Sequence, residues 1–283
     1  MERSDPRTVC LSFDFDAVSV WLNNFQATSP SKISRGEFGV VAAARLLDLL
    51  DRYNIKSTWF VPGHTADTYP QALAEVFSRG HEVGHHGYCH ENPLGLGSEV
   101  EERRILEKGL ASLERVTGAR PVGYRSPSWD LSPFSIGLLM EYGFLYDSSL
   151  MGNDFAPYWC RTGDRFDLES AYQFGRTVEL VELPVTWGLD DFPAFEYVSM
   201  PNKVYPGLRS PDEVYQLWAG DFDYMQRDVP GGVFTLTMHP QVIGRGHRLL
   251  MLERLIEHML IQPGVRFMRM GDCAHEWKAG RKP

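Results

Sequence analysis

Four of the chain's nine histidines fall in one short stretch, GHEVGHHGYCHENP, residues 80–93. They are His81, His85, His86 and His90, and the last two stand four apart. Imidazole is the commonest metal ligand among side chains. Gly87 within the pair and Pro93 just beyond it do not suit a long helix, so the pair is not the helical H-E-x-x-H arrangement. A turn leaving the end of a strand EVGHH would still converge His86 and His90 on one ion. The alternative, each imidazole bonded to backbone, stays open at this point. Cys89 in the same span reads as a packed thiol. A second candidate is SFDFDA, where Asp14 and Asp16 alternate with Phe13 and Phe15. Residues two apart on a strand share a face. Both carboxylates therefore point one way and the phenyl rings the other. Two neighbouring carboxylates removed from water need a cation or a shared proton, whereas a solvated strand end would need neither. GYRSPSWD adds Arg125 and Trp129, and TLTMHP ends in His239.

These residues can meet only if the elements carrying them share an edge. Short β-rich runs (TVCLSFDFD, IKSTWFVPG, EVGHH, VGYRSP, FLYDSS, VELPVTW, GVFTLTMHP, VRFMRM) alternate with helical patterns. The helices are expected over 37–53, 69–80, 98–118, 132–143, 211–228 and 247–261, with a capping box at Ser98 and Glu101. Alternation of this kind predicts βα units and a mainly parallel sheet. About eight units fit, which favours a (β/α) barrel over an open sheet. Asp14, Asp16, His86, His90, Arg125 and His239 all fall at carboxyl ends of expected strands, the face on which barrel active sites are built. Two histidines and a carboxylate, with one position left open, have the composition of a catalytic zinc site. Two stretches, 17–36 and 150–210, read as long irregular segments of the kind that carry function or contacts. The aromatic-rich second one is expected to cover the pocket or to pack on a neighbouring subunit, the alternative being a satellite core within one chain.

With 43% hydrophobic residues and 283 positions, one domain over 1–283 is expected. The formal net charge is −9 and no basic stripe occurs, so neither nucleic acid nor an anionic membrane is an expected partner. No apolar run approaches the ~18 residues of a membrane span. The stretch MERSDPRTVCLSFDFDA has no leader-like apolar core, and Cys10, Cys89, Cys160 and Cys273 lack paired spacing. A cytoplasmic protein with reduced thiols is expected.

In their order, these motifs resemble those of the polysaccharide deacetylase (NodB-homology, carbohydrate esterase family 4) superfamily. The matching features are Asp14/Asp16, His86/His90, Arg125–Pro127 and Leu236–His239. LSFDFDA, HGYCHENP and ELPVTWGLDDFP are most similar to its intracellular branch, which includes Helicobacter-type peptidoglycan deacetylases and allantoinase-like and cyclic-imide hydrolases. The resemblance implies a distorted (β/α) barrel of seven or eight strands. It implies Asp14 as general base, Asp16, His86 and His90 as ligands of a divalent ion such as zinc, Arg125 as the group that orients Asp14, and His239 as general acid. Tyr88 and Trp129 are the expected aromatic contacts to a glycan or small-molecule substrate, and a homodimer or homotetramer is implied. The reaction implied is hydrolysis of an N-acetyl group on a sugar, with a cyclic amide, imide or ureide as the alternative substrate. A ligand-binding barrel without turnover is the non-enzyme alternative. This chain departs from the family pattern in three ways. Phe15 separates aspartates that are usually adjacent. Gly87 stands where a serine or threonine hydroxyl usually braces the ligand loop. The aspartate that tunes the acid histidine has no clear match, Asp190 and Asp191 being the nearest candidates.

Overall fold

The structure, a computed structural model, describes residues 6–200 and 203–283. Its first strand, β1 (Arg7–Asp14), sorts its side chains by parity. Val9, Leu11 and Phe13, followed by Phe15, face the helices and join a core with Leu46, Leu50 and Trp59. Cys10 faces the barrel interior with Phe60, Tyr146 and Met270, and above it come Ser12, Asp14 and Asp16. A period-2 strand with a wholly apolar outer face thus delivers a polar inner column to the mouth of the barrel.

The chain then alternates as expected. A short helix α1 (Val18–Asn23) and a long α2 (Pro30–Arg52) lead to β2 (Thr58–Val61). Helices α3 (Gly63–Thr68) and α4 (Pro70–Ser78) precede β3 (Glu82–His85), and α5 (Glu99–Thr117) precedes β4 (Gly123–Tyr124). The Ser98 side chain caps α5 by accepting from the Glu101 N–H, and Gly118 ends it at φ +69°. Next come α6 (Ser135–Glu141), β5 (Tyr146–Asp147) and the hairpin β6 (Tyr158–Thr162) with β7 (Arg176–Glu182). Helix α7 (Asp191–Phe195) and a small ribbon of β8 (Val198–Met200) and β9 (Lys203–Tyr205) follow. The remainder is α8 (Pro211–Asp228), β10 (Val233–Met238), α9 (Pro240–Ile243), α10 (Gly246–Leu260), β11 (Val265–Phe267) and α11 (Met270–Lys278).

Sheet order is β10-β1-β2-β3-β4-β5-β7-β6, with β11 also pairing to β1. Every pairing is parallel except that of β6 with β7. Eight parallel strands curl into an incomplete barrel. A single parallel bridge, Asp190 to Thr237, and a bond from the Val233 N–H to the Phe155 carbonyl (2.8 Å) link its two sides. The barrel expectation therefore holds, with a gap in the sheet rather than full closure.

Several boundaries differ from the sequence reading, and the strand expected at VELPVTW, 181–187, lies earlier, at Arg176–Glu182. The helix expected at 37–53 begins at Pro30, because its first two turns are polar and show no apolar stripe. Residues 17–36 consequently hold α1 and the start of α2 rather than an irregular loop. Residues 150–210 contain two hairpins and α7, and VRFMRM is a strand only to Phe267, its last residue opening α11.

Close approach makes one glycine indispensable. A Cβ on Gly109 of α5 would lie 2.3 Å from His85 Nε2 and 2.8 Å from the Gly87 carbonyl, directly behind the histidine turn. Gly137 on the exposed side of α6 has nothing within 4 Å. Gly109→Ala is expected to destabilise by about 1–3 kcal/mol through overpacking. Gly137→Ala should stabilise by up to about 1 kcal/mol, the helix-propensity difference. Urea unfolding midpoints of the two variants moving in the same direction would contradict this packing.

Candidate active site

At the carboxyl end of β1, Asp14 and Asp16 are both buried. Asp14 Oδ1 accepts from Arg125 Nη1 at 2.8 Å. The guanidinium is itself fully enclosed, donating to Ser12 Oγ (2.9 Å), the Ser148 carbonyl (3.1 Å) and Ser148 Oγ (3.0 Å), and lying over the Phe60 ring. Burial pushes the Asp14 carboxyl up, but Arg125, His86 and His239 together outweigh it and leave the group lowered and ionised. Asp16 has no such cation. Burial drives its carboxyl well up; His239 opposes the rise, while Asp14, Asp190 and Asp191 add to it. Both Asp16 oxygens are buried without a hydrogen-bond partner.

The four clustered histidines divide into two kinds. His81 Nδ1 accepts from the Ser57 N–H (3.1 Å), and His85 sits between the Leu106 carbonyl (3.1 Å) and the Gly87 N–H (3.2 Å). These two are packed structural imidazoles, as the backbone-bonded reading had it. His86 and His90 instead face Asp16, with Nε2 atoms 3.5 and 3.8 Å from its oxygens. His86 Nδ1 lies 2.7 Å from the Arg125 carbonyl, and His90 Nδ1 lies 2.6 Å from Asn24 Oδ1. Both acceptors fix the ring proton on Nδ1 and turn the Nε2 lone pair toward Asp16, as metal-ligating histidines are usually held. Burial, the largest influence on each, lowers His86 to about 4 and His90 well below its ordinary value, so both are neutral.

Among the described residues two acid–histidine groups could hold an ion, Asp16/His86/His90 and Asp190/Asp191/His239. The first fits. Its carboxylate oxygens and His86 Nε2 are orphaned and buried, a costly state that a divalent ion relieves. The second is already satisfied by a proton. His239 Nδ1 lies 2.7 Å from Asp191 Oδ1, and the His239 N–H also donates to Asp191, at 3.0 and 3.1 Å to its two oxygens. Burial alone would lower His239, but Asp190 and Asp191 outweigh it and raise the imidazole to about 10. Its Nε2 stands 3.7 Å from Asp16 Oδ2, completing the ring of groups at the mouth. Of the two aspartates left open by the sequence, Asp191 is the one hydrogen-bonded to His239, and Asp190 Oδ1 stands 3.7 Å from the same Nδ1.

These groups form the floor of a cavity of about 640 Å³. Its walls come from α1 and the residues after it (Val20, Asn24, Phe25), from Ser128 and Trp129, and from the 150–210 stretch (Trp187, Phe192, Pro193, Met200, Tyr205). The Trp129 and Trp187 rings lie 4.3 Å apart at 32°, with Trp187 at the rim. Part of the aromatic stretch therefore covers the pocket. Phe155 and Trp159 instead pack inward against Phe234 and Trp277. Tyr88 is corrected as a substrate contact: its hydroxyl donates to Asp67 (3.2 Å) and its ring lies under Lys108, outside the cavity walls. Cys89 stays out of the ligand cluster. Its thiol faces the Ser19 carbonyl, and burial with the Glu91 charge raises it to about 11.

An α/β barrel that gathers an ionised aspartate, an ion-ready acid–histidine cluster and a protonated histidine at its carboxyl mouth has the parts for hydrolysing an amide. The polysaccharide deacetylase family model matches residues 3–144. A peptidoglycan deacetylase of Helicobacter pylori is 39% identical over 282 residues, covering 95% of each chain. The crystal structure of a Mycobacterium smegmatis protein assigned as a polysaccharide deacetylase is similar at a TM-score of 0.85 and 35% identity, over 99% of this chain and 92% of that one. An allantoinase crystal structure shares the fold at a TM-score of 0.77 and 22% identity, over 99% of this chain and 93% of that one. The chain belongs to the polysaccharide deacetylase family, hydrolases of carbon–nitrogen amide bonds.

Behind Arg125, a buried acid pair supports the loop that holds it. Asp147 and Glu182 are register partners on β5 and β7, and both are fully buried. Glu182 Oε1 accepts the Ser149 and Leu150 N–H groups (3.0 and 2.9 Å). Burial is the main cause that raises Asp147 to about 6, and burial with the Asp147 charge raises Glu182 well above the carboxylate range. Folded-state values above the unfolded ones mean that the pair stabilises fully below the ordinary carboxylate range. That contribution is lost as pH climbs through about 6. The stability advantage of wild type over Glu182→Gln should therefore shrink between about pH 4.5 and 7.5. An equal urea-midpoint difference at both pH values would rule out a proton retained by the pair.

Proposed function

We propose that this chain removes acetyl groups from N-acetylated amino sugars with one zinc-type divalent ion held by Asp16, His86 and His90. The observation that carries the reading is the Asp16 carboxylate, buried with both oxygens unpartnered and facing two neutral imidazoles. Two imidazoles and one carboxylate are the donor set of catalytic zinc. When bound, the ion supplies Lewis-acid polarisation of the amide carbonyl. Asp14, kept ionised by Arg125, accepts a proton from the attacking water. His239, kept protonated by Asp191, donates to the leaving nitrogen, so that the acid and the base begin in opposite states. Trp129 and Trp187 offer apolar faces to a sugar ring. A second reading, a compact cyclic amide or imide, is favoured by the cavity itself. Walls from α1, Trp129–Trp187 and the β8–β9 ribbon suit a small ring better than a long polymer.

Acetate release from N-acetylglucosamine oligomers, assayed beside ring opening of cyclic imides, separates these readings. Activity on neither class would reject both. His86→Ala and His90→Ala should each lose the ion by elemental analysis. Asp14→Asn should keep it, because the three ligands remain, while turnover falls by ~10²–10⁴-fold, as for loss of a general base. A metal-loaded Asp14→Asn protein with near-normal turnover would refute the base assignment.

The same reading includes self-association through the β6–β7 arm. Phe166, Leu168 and Phe174 are exposed there, and Phe166 stacks on Tyr172 at 5.7 Å. β6 ends the sheet order, which leaves a strand edge open to a second copy. At the tip of the arm, residues 161–176, Arg161, Arg165 and Arg176 balance Asp164, Asp167 and Glu169, and Glu179 behind it is paired with Lys278, so two tips can meet without repulsion. Light scattering should give a multiple of 32.2 kDa, falling to one copy in a Phe166→Ser/Leu168→Ser/Phe174→Ser variant. A wild-type mass of one chain would end this part of the proposal.

A further inference from the structure

We infer that Asn24 is the positioning residue for His90, and that through this contact it sets the affinity of the Asp16–His86–His90 cluster for its ion. The inference rests on the metal reading above and adds a residue outside the ligand set. Its starting point is Gly87, which has no hydroxyl with which to brace the ligand turn and stands at φ +71°. Two other groups hold the turn. The Glu91 carboxylate accepts the Tyr88 and Cys89 N–H groups at 3.0 and 2.7 Å, fixing the backbone before His90. The imidazole and carbonyl of His90 are gripped from α1. Asn24 Oδ1 accepts from Nδ1 at 2.6 Å, and Asn23 Nδ2 donates to the His90 carbonyl at 3.0 Å.

This grip has something to resist. His90 has φ +60°, a left-handed conformation uncommon for a residue with a side chain. Such a conformation persists only where surrounding contacts over-determine it. Asn24 also selects chemistry. Its amide oxygen can only accept, so the ring proton stays on Nδ1 and Nε2 keeps the lone pair that faces Asp16. The remaining donor, Asn24 Nδ2, reaches Ser128 Oγ at 3.3 Å. One amide thereby ties a candidate ligand to the cavity wall beside Trp129. The helix that Asn24 follows begins only two residues after Asp16. A short segment thus leaves one ligand and returns to orient another.

Outer partners of metal-bound histidines typically contribute 10–100-fold in affinity. Asn24→Leu, which cannot accept, should weaken zinc and cobalt binding by roughly that factor in chelator-competition titrations. Asn24→Asp restores the acceptor and should return affinity to near the wild-type value, with the Ser128 hydroxyl donating to the carboxylate instead of accepting from the amide. The melting temperature of both metal-free variants should match that of the metal-free wild type, which separates positioning from a general folding defect. Leu and wild-type proteins of equal affinity would overturn the inference. So would an Asp variant that folds normally yet binds as poorly as the Leu variant. A wild type that takes up neither ion overturns the metal reading and this inference with it.

Discussion

Two carboxylates on one face of a single strand, both out of water, govern the architecture around them. Left alone, they would repel each other and share a proton. The fold resolves the conflict by giving them different company. Asp14 receives Arg125, a guanidinium enclosed by Ser12, Ser148 and the Phe60 ring. Asp16 receives two neutral imidazoles and, 3.7 Å away, the His239 ring, but no hydrogen-bonded guanidinium. A buried ion pair is expensive to break, because either partner left alone is an uncompensated charge. Arg125 in turn requires Ser148, and the loop bearing it hangs from Glu182. Support therefore runs from a buried acid pair, through a serine loop and an arginine, to one oxygen of the site.

Much of this was legible before the structure. Strand periodicity alone predicts that Asp14 and Asp16 share a face and that Phe13 and Phe15 oppose them, and both hold. The strand–helix alternation gives the parallel barrel, and the strand ends give the common mouth. What stayed hidden depends on contacts distant in sequence or on patterns too short to read. Asp191 reaches His239 across 48 residues, and only their meeting distinguishes it from Asp190. Helix α1 is six residues long, too short for a periodic signal, and it carries Asn23 at its end. The first turns of α2 are polar, so its start is marked only by Pro30 after Ser29. Proximity to the ligands in sequence does not fix the direction of Tyr88, whose ring points outward, with Lys108 on its face and Asp67 at its hydroxyl.

Charge at the mouth follows one rule. The groups offered as ligands are neutral histidines, whose ring protons are pinned by the Arg125 carbonyl and Asn24. The one histidine that keeps a positive charge is backed by two aspartates. Identical side chains, within one small cavity, are thus held in opposite protonation states by what touches Nδ1: a neutral acceptor in one case and a carboxylate in the other. The aromatic walls, Phe25, Trp129, Trp187, Phe192 and Tyr205, add no charge of their own.

The position of β1 in the sheet also has a bearing on how the chain acquires its activity. This first strand is flanked by β10 and β11, and Ser12 bonds to Leu236, 224 residues further on. Loop closure over such a span comes late, since its entropy must be met before the contacts reward it. During synthesis the early βα units can stack while β1 has only β2 beside it and still lacks β10 and β11. His239 arrives with β10, so the site forms only when that strand docks. A nascent chain with its aspartates and two histidines already in place would still lack His239, the acid of the proposed reaction, until most of the protein had left the ribosome.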